Sequence, residues 1–353
     1  MINPVVEDDC RALAEAVALD DYRGKTVLVS GANGFLGSYI VQLLSHGNRT
    51  RDLGCTVLCS SLSGASPRLA RLMAADQNLV DLRADFSQPF SFDERIDFIF
   101  HAAGYAQPAL WMDEKLKTID INVTGVRSLL ELARRDDARF LFFSTLDVYG
   151  DPEITPTPET YNGSLSTLAE RAAYGESKRL GEVICNIYRQ EFGVTAYAAR
   201  ISHVYGPGIS LQDRRVLGDF LRGAMTRGRI EMRDQGQAIK TFGYIADVIF
   251  MIMRIMQGGQ EMIYNVGGVD RLTIRQLAEL VADVVGKTEI SALEKDTAAG
   301  HIGTDPDEVG LDLSKFETEF GAVDFLAMKT GIERTIAWIE AEPADDKGAD
   351  GAS

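Results

Sequence analysis

The sequence predicts an α/β protein built on a doubly wound parallel sheet, with a smaller α/β substrate domain interleaved in its second half. Three observations predict it. Lys25 to Leu44, KTVLVSGANGFLGSYIVQLL, passes from a β-branched apolar run through three glycines into an apolar-faced helix. Short apolar strands and helical patterns then alternate as far as Ser202, the mark of parallel strands joined by helical crossovers. Beyond Ser202 the alternation loosens into HVYGPG, DRRVLGDFLRGAMTRG and IKTFGYIADV.

With 353 residues, 45% of them hydrophobic and 25% charged, the chain can build one large or two coupled domains with substantial cores. A formal net charge of −16 argues against nucleic acid or an anionic membrane as the main partner. The start, Met-Ile-Asn-Pro and then acidic residues, lacks the basic region and apolar core of a signal peptide, and no apolar run approaches membrane-spanning length. The expected location is cytoplasmic. Cys10, Cys55, Cys59 and Cys185 show no Cys-x-x-Cys pairing, so reduced core thiols are expected and no metal site is.

In chain order, residues 1–21 hold Val6, Cys10, Leu13 and Val17 at helical spacing, an amphipathic helix for packing or oligomer contact. Thr26 to Ser30 has the composition of a strand buried on both faces. Gly31, Gly34 and Gly37 follow at three-residue spacing. Gly31 suits a tight turn, Gly34 the close approach of a diphosphate, and Gly37 close helix–strand packing. Unpaired backbone N–H groups and the helix dipole make that point an anion site.

Thr56 to Cys59 is the second strand. It ends at Ser60 and Ser61, where many NAD-binding chains place an acid for the ribose hydroxyls. With no carboxylate there, and Arg68 following, NAD and NADP both remain open. Val80–Ala84, Phe98–His101, Phe140–Ser144 and Thr195–Arg200 read as further strands, and residues 151–163 as a loop. A helix begins near Ala172. Residues 263–266 read as a strand returning to the large sheet, and TIRQLAELVADVVG and the stretch near Ile332–Ile339 as helices. The acidic, aperiodic tail of residues 343–353 is expected to be disordered. The implied organisation is a dinucleotide-binding domain over 22–202, rejoined by 241–266, and a substrate domain over 203–240 and 267–340.

The chemistry centres on Tyr174 and Lys178, which lie one helical turn apart and reach the same side of the helix. An ammonium beside a phenol favours the phenolate, a base suited to a sugar hydroxyl. Thr145 lies at the end of the preceding strand, 29 residues before Tyr174.

GANGFLG resembles the glycine turn of the extended short-chain dehydrogenase/reductase family, which has a Rossmann fold, and the resemblance runs from Gly24 to about Ile339. STLDVYGDP, RISHVYGPG and DRRV resemble elements of its nucleotide-sugar branch: decarboxylases of UDP-glucuronate, 4-epimerases and 4,6-dehydratases. The resemblance implies cofactor contacts from Gly31, Asn33, Gly34, Phe35, Leu36, Gly37, Ser60, Asp85, Phe86, Ala102, Ala103, Asn122, Ser144, Tyr174 and Lys178. It gives His101 a structural, cofactor-lining role. It places substrate contacts at Arg200, His203, Arg215, Lys240 and Arg271, and Thr145, Asp147, Tyr174 and Lys178 in catalysis, with Thr145, or Ser144 as the alternative, donating a hydrogen bond to the oxygen that Tyr174 serves.

Asp147 stands where the decarboxylases and dehydratases carry a glutamate and epimerases an uncharged residue. Leu146 stands where many dTDP-sugar dehydratases carry an acid that protonates the leaving hydroxyl, which a leucine cannot do. The implied function is oxidation of a nucleotide sugar at C4 with bound NAD, NADP remaining open. UDP-glucuronate decarboxylase-like chemistry comes first, and 4,6-dehydration or 4-epimerisation second. A homodimer through the helix that begins at Asn122 is implied. A dinucleotide-binding regulator without catalysis would not need Tyr174, Lys178 and Thr145 together.

Overall fold

The computed structural model describes residues 2–105, 108–292 and 308–343. The chain begins with α1 (Pro4–Ala16), β1 (Thr26–Ser30), α2 (Phe35–Arg51), β2 (Thr56–Ser61), α3 (Pro67–Ala75), β3 (Leu79–Arg83) and β4 (Phe98–His101). It continues through α4 (Pro108–Asp113), α5 (Lys115–Asp120), α6 (Val126–Asp136), β5 (Arg139–Thr145), α7 (Ala172–Phe192) and β6 (Ala196–Ile201). The second half holds β7 (His203–Tyr205), α8 (Val216–Arg227), β8 (Arg229–Met232), β9 (Ile239–Tyr244), α9 (Ile245–Gly258) and β10 (Ile263–Val266). Last come β11 (Asp270–Thr273), α10 (Ile274–Val285), β12 (Glu289–Ala292), β13 (Glu308–Val309), α11 (Ser314–Phe320) and α12 (Met328–Ala341).

Seven strands form one parallel sheet in the order β10-β6-β5-β4-β1-β2-β3. The chain moves outward from β1 to β3, then returns to the other side of β1 at β4. That reversal opens a crevice beyond the carboxyl ends of β1 and β4, where open parallel sheets bind ligands. β1, β4 and β5 are almost wholly buried, which explains their continuous apolar runs. One core cluster on each face of the sheet is built from alternate residues of these strands: Val27 and Val29 on one side, Leu28 and Ile99 on the other.

A smaller sheet pairs β9 with β7, β11 and β13, and β8 pairs with β12. β9 therefore belongs to the small sheet, and the return to the large domain begins at α9 rather than at residue 241. The N-terminal helix is also shorter than its pattern suggests: Val17 caps α1, and a 3-10 turn over Leu19–Tyr22 leads into β1. Asp9 ties α1 down, accepting hydrogen bonds from Tyr39 of α2, Tyr244 of β9 and Arg334 of α12. All four cysteines are buried free thiols with pKa values raised by burial. Residues 344–353, most of the predicted tail, lie outside the described residues. Among the described residues no helix is long and apolar enough to cross a membrane.

Candidate active site

The glycine turn is the floor of the crevice. Gly31 has φ +71°, and a Cβ there would stand 2.9 Å from Ala102 O and Ala103 N, so the turns after β1 and β4 touch backbone to backbone. A Cβ on Gly37 would lie 2.3 Å from Gly31 O; the first turn of α2 is pressed onto the loop. Gly34 caps α2 without a side chain, leaving first-turn N–H groups for a ligand. Asn33 bridges to the loop after β2, donating to Gly64 O and accepting from Ser66 N–H. Phe35 and Leu36 pack against the core, Phe35 also beneath Gly208.

Further round the crevice, Ser60 Oγ at the end of β2 is buried with no hydrogen-bond partner, as is Asn122 Oδ1. Asn122 sits in a π-helical turn over Ile121–Gly125 and donates to Ser177 of α7. A Cβ on Gly104 would find Lys178 Nζ at 3.8 Å and Asn122 Oδ1 at 4.0 Å, so both groups face the turn after β4. Orphaned polar atoms around a side-chain-free helix terminus fit a dinucleotide. Asp85 closes its own turn, accepting from Ser87 N–H and Oγ–H, and these bonds lower its pKa. Phe86 is buried against Phe90 and His101.

His101 is buried, with a partner at each ring nitrogen. Ser30 Oγ accepts from Ala103 N–H at 3.0 Å and lies 2.7 Å from His101 Nδ1, which places the ring proton on Nε2, towards Ile121 O. Burial, reinforced by the Lys178 charge, depresses its pKa to about 3.

β5 and α7 bring the catalytic candidates together. Thr145 ends β5, and its hydroxyl donates to Asp147 Oδ2 at 2.9 Å while accepting from Asp147 N–H. Tyr174 and Lys178 project from α7 towards this end. The phenol is pushed above its ordinary pKa by burial and by the Asp147 carboxylate; the Thr145 hydroxyl and the Arg215 and Arg171 charges act the other way. Lys178 Nζ stands 5.9 Å from the centre of the Tyr174 ring. Lys178 Nζ donates to Phe143 O at 2.7 Å and lies over the Phe142 ring, and burial lowers its own pKa to about 7.

Two residues that carry no sequence signal join them. The Trp111 ring lies flat against Tyr174, with centroids 5.6 Å apart and planes 10° from parallel. Arg171 donates to Asp147 Oδ1 at 3.2 Å and stands over Trp111. Residues 111 and 171 belong to separate elements, and only the tertiary fold brings them together.

Other candidates fall elsewhere. Ser144 donates to Glu182 Oε1 at 2.6 Å, and Arg200 holds the same carboxylate with two bonds of 3.0 and 2.7 Å while stacking on Tyr149. Both expected ligand contacts are thus members of a buried structural network. Arg215 is held by Asp213. On the small sheet, His203 is in register with Phe242, so it shares a face with Lys240; both are partly or wholly buried. Arg271 opposes Thr241, which puts it on the other face, in an exposed pair with Glu308 at 2.7 Å. It does not join Lys240. Arg68 contacts Glu342 and stacks on Trp338.

Residues 27–267 match the NAD dependent epimerase/dehydratase family. The chain belongs to that family. A UDP-glucuronic acid decarboxylase of Arabidopsis thaliana is 29% identical over 307 residues, spanning 87% of this chain and 86% of the relative. A UDP-N-acetylglucosamine 4-epimerase from Methanobrevibacter ruminantium superposes with a TM-score of 0.77 at 19% identity, over 90% of this chain and 99% of that one. A dTDP-glucose 4,6-dehydratase from Streptomyces venezuelae, solved with NAD, gives 0.76 at 22%, over 92% and 98%. As a member of the NAD dependent epimerase/dehydratase family, the protein is an enzyme whose cofactor is NAD, and the glycine turn, Ser60 and Asn122 are groups that could hold it.

Proposed function

We propose that this enzyme oxidises a nucleotide sugar at C4 and that its reaction is the decarboxylation of a UDP-hexuronate. The observation that carries the reading is Asp147, a carboxylate held by Thr145 and Arg171 at the end of β5 and close enough to act on the Tyr174 phenol. The decarboxylase named above, similar along most of both chains, supports the same choice. Leu146 argues against dehydration of the type that needs an acid at that position.

NAD, when bound, supplies the hydride acceptor for C4. Tyr174 Oη takes the C4 hydroxyl proton, and Thr145, Arg171 and Arg215 favour the phenolate that does so. Trp111 fixes the ring and excludes water from one face. Lys178 holds the end of β5 against α7 through Phe143 O. With a ketone at C4, the C6 carboxylate is a β-keto acid; CO₂ leaves, and the electron pair passes to the C5–C4 enolate. Asp147 holds the sugar there and returns a proton to C5; the hydride then returns to C4 and Tyr174 gives its proton back to the C4 oxygen, so the cycle is redox-neutral. Lys240, His203 and Arg215 are proposed to contact the nucleotide diphosphate side, from which Arg271 is separated.

A homodimer is also proposed. Leu180, Val183 and Ile187 lie on one face of α7 at 46, 52 and 40% exposure, an apolar stripe beside α5 and α6 that a second copy would cover. The reaction is tested by incubating the enzyme with a panel of nucleotide sugars and weighing the products. The reading requires UDP-glucuronate to lose the mass of CO₂, with no external reductant. Loss of water from a hexose substrate instead would assign a dehydratase.

A further inference from the structure

Asp147 poses a problem for the proposed substrate. A hexuronate carries its own carboxylate on the carbon next to C5, and like charges brought this close disfavour each other. A neutral hexose meets no such obstacle. The site must therefore hold a compensating cation next to Asp147, and one is present. Arg171, the last residue before α7, places one guanidinium nitrogen 3.2 Å from Asp147 Oδ1. Both side chains keep about a third of their surface exposed, 30% for Arg171 and 33% for Asp147, so a sugar can reach them. Thr145 occupies the other carboxylate oxygen, which fixes the side of Asp147 that Arg171 takes.

Two other cations near the site have partners of their own, neither of them Asp147. Lys178 turns to Phe143 O, and Arg215 is gripped by Asp213. Trp111 lies beneath the Arg171 guanidinium and flat against Tyr174, so one rigid ring fixes the cation relative to the proton-transfer group.

We infer that Arg171 is a specificity-determining residue that admits a sugar bearing a C6 carboxylate, by balancing the charge of Asp147 at the point where that carboxylate must lie. The inference rests on the decarboxylase reading. A planar guanidinium can serve two carboxylates at once, which a point charge does less well.

The test is equilibrium binding of UDP-glucuronate and of UDP-glucose to the NAD-loaded enzyme and to Arg171→Gln, Arg171→Lys and the double variant Arg171→Gln/Asp147→Asn. Arg171→Gln is expected to weaken UDP-glucuronate by about 30-fold, the weight of a charge-assisted contact, and UDP-glucose by no more than about threefold. Arg171→Lys should recover part of the discrimination. The double variant should bind UDP-glucuronate more tightly than Arg171→Gln alone, because the opposing carboxylate is gone; a merely structural loss would not be reversed in this way. Equal weakening of both ligands, or a double variant no better than the single one, would overturn the inference. Failure of the decarboxylase reading shows separately, as wild-type enzyme that forms no UDP-pentose while the binding ratios still report on Arg171.

Discussion

At the residue scale, Tyr174 joins the site's two demands. In the proposed reaction it must accept a proton, yet burial and Asp147 hold its pKa up, so the groups that pull the pKa down matter. Tyr174→Phe keeps the ring against Trp111 and removes the acceptor; turnover should fall by about 10²–10⁴-fold while NAD stays bound. Near-normal turnover in that variant would place the chemistry elsewhere. Asp147→Asn keeps the size and removes the proposed proton carrier, so a single turnover should stop after CO₂ loss, before C5 is protonated, and show as reduced-nicotinamide absorbance. Tyr174 and Lys178 are legible as a pair in the sequence because a helical turn ties them, and Thr145 and Asp147 are legible through the resemblance that STLDVYGDP carries. Trp111 and Arg171 are not, since the contacts that matter link separate elements. Arg200 misleads for a related reason: in sequence it is a cation in a motif, and only the structure reveals Glu182 closed around it.

At the element scale, the glycine turn and α2 act as one device. Any side chain at Gly37 collides with Gly31 O, so Gly37→Ala should push α2 off the loop. NAD affinity should drop at least about tenfold, by the loss of aligned N–H groups. Titration of the dinucleotide into the purified variant checks this. The strands of the large sheet are legible because burial on both faces leaves unbroken apolar runs. β9 is not: IKTFGY is half polar, and its membership of the small sheet depends on partners that come before and after it in the chain. The same pairing separates Arg271 from Lys240, since neighbouring strand positions face opposite ways. On α7, replacing Val183 and Ile187 with glutamate should convert a dimer to monomer in sedimentation while leaving the melting temperature nearly unchanged; a persistent dimer would move the interface elsewhere.

At the scale of the whole molecule, the start of α9 carries an acid surrounded by other acids. Asp247 at the start of α9 is raised to about 7 by burial, despite the Leu326 N–H bond, with Asp9, Asp270 and Asp324 adding like charge. An acid raised in the folded state stabilises the fold only while protonated. Its contribution is full below pH ~4 and is lost as pH rises to about 7. Asp247→Asn should therefore leave stability unchanged at pH 4 and raise it at pH 8, by something on the order of 2 kcal/mol. Denaturant melts of both proteins at the two pH values decide it, and an equal shift at both would refute the linkage. His101 acts in the opposite sense: held neutral down to about pH 3, it withdraws stability as pH falls below its ordinary range.

The central claim, that C4 oxidation serves the loss of a C6 carboxylate, is tested most directly in D₂O. Wild-type enzyme given UDP-glucuronate should release CO₂ and a UDP-pentose carrying one solvent deuterium at C5, the carbon that lost the carboxylate. A product that keeps its carboxylate and carries no solvent deuterium, altered only at C4, would contradict the claim and assign a 4-epimerase.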